Sequence, residues 1–482
     1  MEITQLQPQK VWQYFHEIMQ VPRPSKKEEK IIAYLLETAN KLGVEVEQDE
    51  IGNVLMRKPA TKGKENVTPV VFQSHMDMVC EKNADSDFNF DTDPIQAEIE
   101  DGWLISKETT LGADDGIGMA IQLALLADDT LEHGPLECLF TVDEETGLTG
   151  AKELKENWLK GKMLLNLDSE DEGQFFIGCA GGIDTVARME FSTIDAPDNG
   201  SAYKIAIQGF MGGHSGDDIE KNRGNATKQL ARLLYELDNR FEVSLFHIDA
   251  GNLRNAISRE GFAHIIVDRE DEEIFLEFIK AFDEILKDEY KISDPEVYVT
   301  AEAIDYPEEI IDEMTTYDLI RTLYACPHGV LAMSQDIKDF VETSTNLASV
   351  KIEKDEIVIT TSQRSSVESR KYDACMMVGS VFELVGADVE NGDGYPGWTP
   401  NPNSEVMKVL NQAYKNVFNK EAEILAVHAG LECGLIAEKY PEMDMISYGP
   451  TLRGVHAPGE KIDIETVKQT WELTLEFLKI LK

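Results

Sequence analysis

The stretch TPVVFQSHMD, residues 68–77, sets the frame for reading the chain. Its apolar run does not alternate, is bounded by polar residues and is too short for a helix, which suits a strand buried on both faces of a sheet. The run ends in His75 and Asp77. At i and i+2 on a strand these side chains face the same way, so the carboxylate can accept the imidazole N–H and fix its tautomer. Two more runs share the form: GPLECLFTV (134–142), leading into Asp143, Glu144 and Glu145, and KMLLNLD (162–168), ending in Asp168. Open α/β sheets bind ligands outside the carboxyl ends of their strands, so ionisable residues at three such ends predict a site there.

Working outward, GIGMAIQLALLAD (116–128) and GAKELKENWL (150–159) read as helices between these strands. Upstream, Ser25 and Glu28 read as a capping box for an amphipathic helix that stops at Gly43. Downstream of GCAGGID (178–184) a long segment of helix and strand signals runs to NGDGYPGWTPNPNS (391–404), after which α/β alternation resumes. The last stretch is too short for a comfortable domain of its own. The pattern predicts a discontinuous catalytic domain, residues 1–183 and 396–482, interrupted by an inserted domain, 184–395, of α+β type.

Of 482 residues, 90 are acidic and 45 basic, a net charge of −45 at pH 7. Such a field repels phosphate backbones and anionic membranes, so neither nucleic acid nor a membrane is an expected partner. With 42% hydrophobic residues the chain can still build cores. Six dispersed cysteines, no C-x-x-C pair, no leader-like N-terminus and no long apolar run predict a reduced, cytoplasmic protein.

A fourth segment, TTLGADDGIG, carries Asp114 and Asp115 in a glycine-flanked loop, and the last strand leads through TLRGVHAPGE to His456. Two imidazoles and several carboxylates would then converge without thiolates, a donor set for zinc, manganese or cobalt, two of which a bridging carboxylate can hold. Of the adjacent acids in DEET, one can bind metal while its neighbour acts as general base. GADDGIG lacks the spacing and lysine of a phosphate loop.

In their order, HMD, GADDGIG, DEETG, NLDSE, GGHSG and HAGLECG resemble the dinuclear zinc peptidase family that includes carboxypeptidase G, peptidase T, peptidase V and acetylornithine deacetylase. GCAGGID, LRNAI, YPGW, HAGLECG and YPEMDM look like its aminoacylhistidine dipeptidase branch, Xaa-His and carnosinase-like. The resemblance implies a mixed, mostly parallel sheet carrying a dinuclear metal site, an inserted lid domain, and hydrolysis of dipeptides. It implies that His75 and Asp168 bind one ion, Glu145 and His456 the other, with Asp114 bridging, and that zinc is the first choice of metal. Glu144 would be the general base and Asp77 the partner of His75; Asp143 would point to solvent. In the insert, His214 would donate to the developing oxyanion, and Arg364 and Asn255 would hold the substrate's terminal carboxylate, with Arg254 as competitor to Arg364. A homodimer is also implied, with His214 acting in its own subunit or across. The rival readings are an N-acyl amino-acid hydrolase with the same site, and a non-catalytic acidic metal-binding protein.

Overall fold

The computed structural model describes residues 2–482, which divide into two compact units. The first comprises residues 2–179, 398–426 and 431–482; the second comprises 180–397 and 427–430. Residues 427–430, grouped from sequence with the C-terminal part of the catalytic domain, pack with the second unit.

Eight strands form the main sheet of the first unit among the described residues: β1 (Glu45–Gln48), β2 (Val54–Lys58), β3 (Val70–His75), β4 (Leu136–Thr141), β5 (Met163–Asn166), β6 (Gln174–Cys179), β7 (Glu423–Val427) and β8 (Asp444–Ser447). Their order is β1-β2-β4-β3-β5-β8-β6-β7. The centre, β4-β3-β5-β8, is parallel. Antiparallel pairs flank it at β1/β2, β2/β4 and β8/β6. Every residue of β3 and β4 is buried, as unbroken apolar runs require of central strands. Since β4 and β5 lie on opposite sides of β3, the chain reverses direction across the sheet there, and a crevice opens at the carboxyl end of β3.

Helices α1 (Gln9–Met19), α2 (Glu29–Leu42), α3 (Ala113–Leu126), α4 (Glu405–Phe418), α5 (Glu432–Lys439) and α6 (Ile464–Ile480) belong to this unit. From Gly116 to Leu126 α3 is apolar all round except for Gln122, and every residue is buried, α3 packing on α1 and β3. Gln122 Nε2 donates to Ser74 Oγ at 2.6 Å, so its burial leaves that amide nitrogen paired.

Two local expectations fail. Ser25 and Glu28 form no capping box, because tertiary partners take both side chains: Ser25 Oγ donates to Asp77 Oδ2 at 2.7 Å, and Glu28 Oε1 accepts from Lys26 N and Asp143 N. GAKELKENWL is not a helix beyond the turn Thr149–Lys152. Tyr440 Oη takes the N–H groups of Trp158 and Leu159, where helix bonds would have formed, and Glu137 Oε2 takes those of Lys160 and Gly161 just beyond.

The second unit is built on a sheet of nine strands among the described residues, paired antiparallel throughout. Helices Ala226–Asp238, Glu272–Glu289, Glu313–Ala325 and Glu368–Glu383 accompany it. Leu230, Leu233, Leu234 and Leu237 form one helical stripe and join Ile205, Leu245, Ile265 and Ile359 from the strands in one core.

Candidate metal centre

The end of β3 supplies His75, only 1% exposed, and just beyond it Asp77, fully buried. The irregular first turn of α3 supplies Asp114; this residue and Asp115 have non-helical dihedrals, so the regular helix begins after them. The turn after β4 supplies Glu144 and Glu145, its entry residue Asp143 holding φ +50°. The end of β5 supplies Asp168, and the loop beyond β8 supplies His456 at φ +62°. Positive φ is uncommon away from glycine and gathers at functional sites, where the surroundings hold it.

These side chains meet. His75 Nε2 lies 2.9 Å from Asp114 Oδ1 and 3.4 Å from Asp168 Oδ1. His456 Nε2 lies 3.1 Å from Asp114 Oδ2 and 3.0 Å from Glu145 Oε2. Asp114 thus offers one oxygen to each imidazole. Asp115 turns away, its Oδ1 accepting from Gly118 N at 3.0 Å. Asp143, expected in solvent, is buried, because its two carboxylate oxygens accept from the hydroxyls of Thr146 and Thr149.

Buried groups hold the frame. Asp77 stands 3.4 Å from His75 Nδ1 and accepts the N–H groups of Glu144 and Glu145 at 3.0 and 3.2 Å. Glu460 accepts the N–H groups of Leu111, Gly112, Ala113 and Asp114 at 2.7 to 3.4 Å. Bonds of this charge-assisted kind contribute about 1.5–3 kcal/mol each. From the other side Arg23 donates to the carbonyls of Met76, Asp77 and Gly112. Gly112 sits at φ +67°, and a Cβ there would lie 2.5 Å from Arg23 Nη2, so this loop position needs glycine on both counts.

The electrostatics are those of an acid-rich cluster. Burial opposes charge on His75, yet hydrogen bonds to Asp114, Asp168 and Asp77 hold its pKa well above the ordinary value. Hydrogen bonds to Asp114 and Glu145 push His456 up to about 11. Burial opposes charge on Asp114 too, but both imidazoles hold it well below the carboxylate range. Burial raises Glu144 well above its usual value and Asp168 to about 7. Among the described residues nothing hydrogen-bonds the buried Glu145 Oε1. One ligand atom each from His75, Asp114 and Glu145 lie within 4.8 Å of one another. Imidazole nitrogens and surplus carboxylate oxygens, one left unpaired, fit divalent cations of the zinc, manganese and cobalt class.

The second unit gathers its own polar group. His214 Nδ1 is 3.1 Å from Asp217 Oδ2, and Arg364 Nη2 approaches His214 Nε2 at 3.4 Å. Arg364 is 6% exposed and donates to Tyr395 Oη at 2.8 Å. Its buried Nε has no hydrogen-bond partner among the described residues. Arg254 is instead exposed and paired with Asp184 Oδ2 at 2.8 Å, which distinguishes it from Arg364. Asn255 is exposed on the segment beside His214, its carbonyl accepting from Ser215 N at 2.8 Å. Arg23, Tyr395 and Glu460 are not singled out in the sequence, and Ser25 is read there only as a helix cap; for Glu460 the only signal is its place four residues after His456.

Residues 71–480 match the model of peptidase family M20/M25/M40. The chain is 41% identical over 478 residues to the cytosol non-specific dipeptidase of Escherichia coli (strain K12), covering 99% of both chains. The structure resembles that of aminoacylhistidine dipeptidase from Vibrio alginolyticus, with a TM-score of 0.94 at 40% identity over 100% of this chain and 98% of that one. Aminopeptidase PepT from Bacillus cereus, at 19% identity and a TM-score of 0.58 over 98% of both chains, shares the fold.

Proposed function

The chain belongs to peptidase family M20/M25/M40, and from that premise we propose a metal-dependent cytoplasmic dipeptidase whose substrates include Xaa-His dipeptides. The observation that carries this reading is Asp114, with one oxygen turned to each imidazole and Glu144 held close by through Asp77.

His75 and Asp168 would hold one ion, Glu145 and His456 the other, and Asp114 both; zinc is our first choice. When bound, such a pair supplies Lewis acidity, bringing a water's pKa toward neutrality and polarising a peptide carbonyl. Glu144 takes the proton of the attacking water and returns it to the departing amine nitrogen. Asp77 orients His75 and fixes the backbone of the turn bearing Glu144. Arg364, whose fork matches a carboxylate, holds the substrate's C-terminus together with Asn255. His214 donates to the oxygen on which charge develops.

The relative's cytosolic name supports the compartment, and among the described residues no helix is long and apolar enough to cross a membrane. The homodimer that the family resemblance implies is part of the same proposal. Sedimentation as a monomer at micromolar concentration would remove that assignment. Mixing His214→Ala with Glu144→Gln tells whether His214 serves its own subunit, since recovered activity requires exchange across a dimer.

A panel of Xaa-His dipeptides, other dipeptides and N-acetyl amino acids tests the activity. Hydrolysis of the dipeptides is expected; activity confined to the N-acetyl compounds would replace the reading with an acyl amino-acid hydrolase, and binding of metal with no hydrolysis would leave a binding protein.

A further inference from the structure

One buried carboxylate near the metal centre has no part in the chemistry above. Glu432, the first residue of α5, is 0% exposed. Its Oε2 accepts from Gln73 Nε2 at 2.6 Å and from Thr141 Oγ1 at 2.8 Å. The chain of bonds continues across the sheet: Asn166 Nδ2 donates to Gln73 Oε1 at 2.7 Å, and Ser447 Oγ donates to Asn166 Oδ1. Ser169 Oγ lies 2.6 Å from Ser447 Oγ, and since the Ser447 proton is committed to Asn166, Ser169 is the donor.

Register places this chain one step beneath the proposed ligands. Gln73 pairs with Asn166, and Asn166 with Ser447, so the three form a row across β3, β5 and β8. Gln73 is two residues before His75, and Asn166 two before Asp168, so each lies on the same face as the ligand above it. Thr141 is the register partner of His75 on β4.

All the hydrogen bonds in the chain run toward Glu432. Hydroxyls rotate and amides flip, so every other member can serve in either sense; Glu432 Oε2, which receives both Gln73 and Thr141, acts as acceptor only. Resting on the metal-centre reading above, we infer that Glu432 is a positioning residue: it terminates a one-way hydrogen-bond chain that locks the four parallel strands at the height where they present His75, Asp168 and the Glu144 turn to the ions. Groups that orient metal ligands from behind change metal affinity by about 10- to 100-fold when removed.

The test compares Glu432→Gln and Glu432→Ala with the unaltered protein after chelation, following cobalt uptake by its visible spectrum, then kcat and KM on a dipeptide. Glutamine keeps an acceptor carbonyl for both donors, so uptake and spectrum should stay within about 3-fold of the unaltered protein. Alanine should weaken uptake about 10-fold or more, change the spectrum and lower kcat, with KM nearly unmoved. Ser447→Ala cuts the far end with little risk to folding and carries the test if the alanine variant does not fold. It should weaken cobalt uptake several-fold, with the metal-free protein still folding cooperatively at a modestly lower Tm. Unaltered uptake in Glu432→Ala, or in Ser447→Ala where only that variant folds, overturns the inference, as does a glutamine variant as impaired as the alanine one. Failure of the unaltered chain to bind cobalt would instead overturn the metal reading beneath it.

Discussion

Asp77 Oδ1 accepts the backbone N–H of Glu144 at 3.0 Å while standing 3.4 Å from His75 Nδ1. One fully buried carboxylate therefore sets both the orientation of a proposed metal ligand and the position of the proposed base. Ser25 and the N–H of Glu145 complete its partners, so few acceptor sites are left over.

Asp77→Asn preserves shape but offers one oxygen where two are used, so it should damage both functions. We expect metal affinity to fall by about 10- to 100-fold. Even with saturating metal, kcat should fall further than KM rises. Normal kcat at full metal loading would show that Asp77 is only a structural acid.

Glu144→Gln removes the proton acceptor and leaves the proposed ligands untouched. A general base contributes about 10²- to 10⁴-fold, and kcat should drop by that amount while both ions remain bound. Metal content measured beside kcat separates this from loss of a ligand.

Metal uptake should release protons. In the metal-free cluster His75 and His456 are held above their ordinary pKa, His456 at about 11, so both imidazoles are charged at pH 7. A raised folded pKa means that the imidazolium–carboxylate contacts stabilise the metal-free protein fully below the unfolded value, about 6.5, and that this is lost as pH rises toward 11. Ions must displace those protons, so affinity rises with pH. Calorimetric zinc titration in buffers of different ionisation enthalpy should report two or more protons released, one per imidazole and a further share from Asp168, held at about 7. Buffer-independent heats would exclude these histidines as ligands.

Arg364 is predicted to act on binding through the substrate's terminal carboxylate. Losing a hydrogen-bonded charge pair costs about 1.5–3 kcal/mol, so Arg364→Ala should raise KM about 10- to 100-fold with a smaller effect on kcat. Lysine should recover little, because an ammonium cannot make the paired contact. The variant should also lose the preference for a free dipeptide over its C-terminal amide; an intact preference would direct attention to Asn255 or another group.

The central strands are legible in sequence because they are buried on both faces, which removes polar alternation and leaves runs such as 70–75. The proposed ligands are legible because each stands where such a strand or its loop ends, with glycine beside Asp114. What supports them is not. Ser25 has the spacing of a helix cap, and only the tertiary fold shows that its hydroxyl goes to Asp77. Arg23, Glu432 and Glu460 are single charges in a chain that is 28% charged, where a solvated surface is the ordinary reading. Their partners are backbone N–H and carbonyl groups or side chains far along the chain, and backbone groups carry no residue signature. The helix expected over 150–159 fails for the same reason, since the side chain of Tyr440 takes the N–H groups of Trp158 and Leu159.

The most direct test of the central claim is a titration of the chelated protein with zinc, following hydrolysis of an Xaa-His dipeptide at each addition. We expect no turnover before metal is added and a rise to a plateau at two equivalents per chain. Full hydrolysis by the metal-free protein, or none after two ions are bound, would contradict the account.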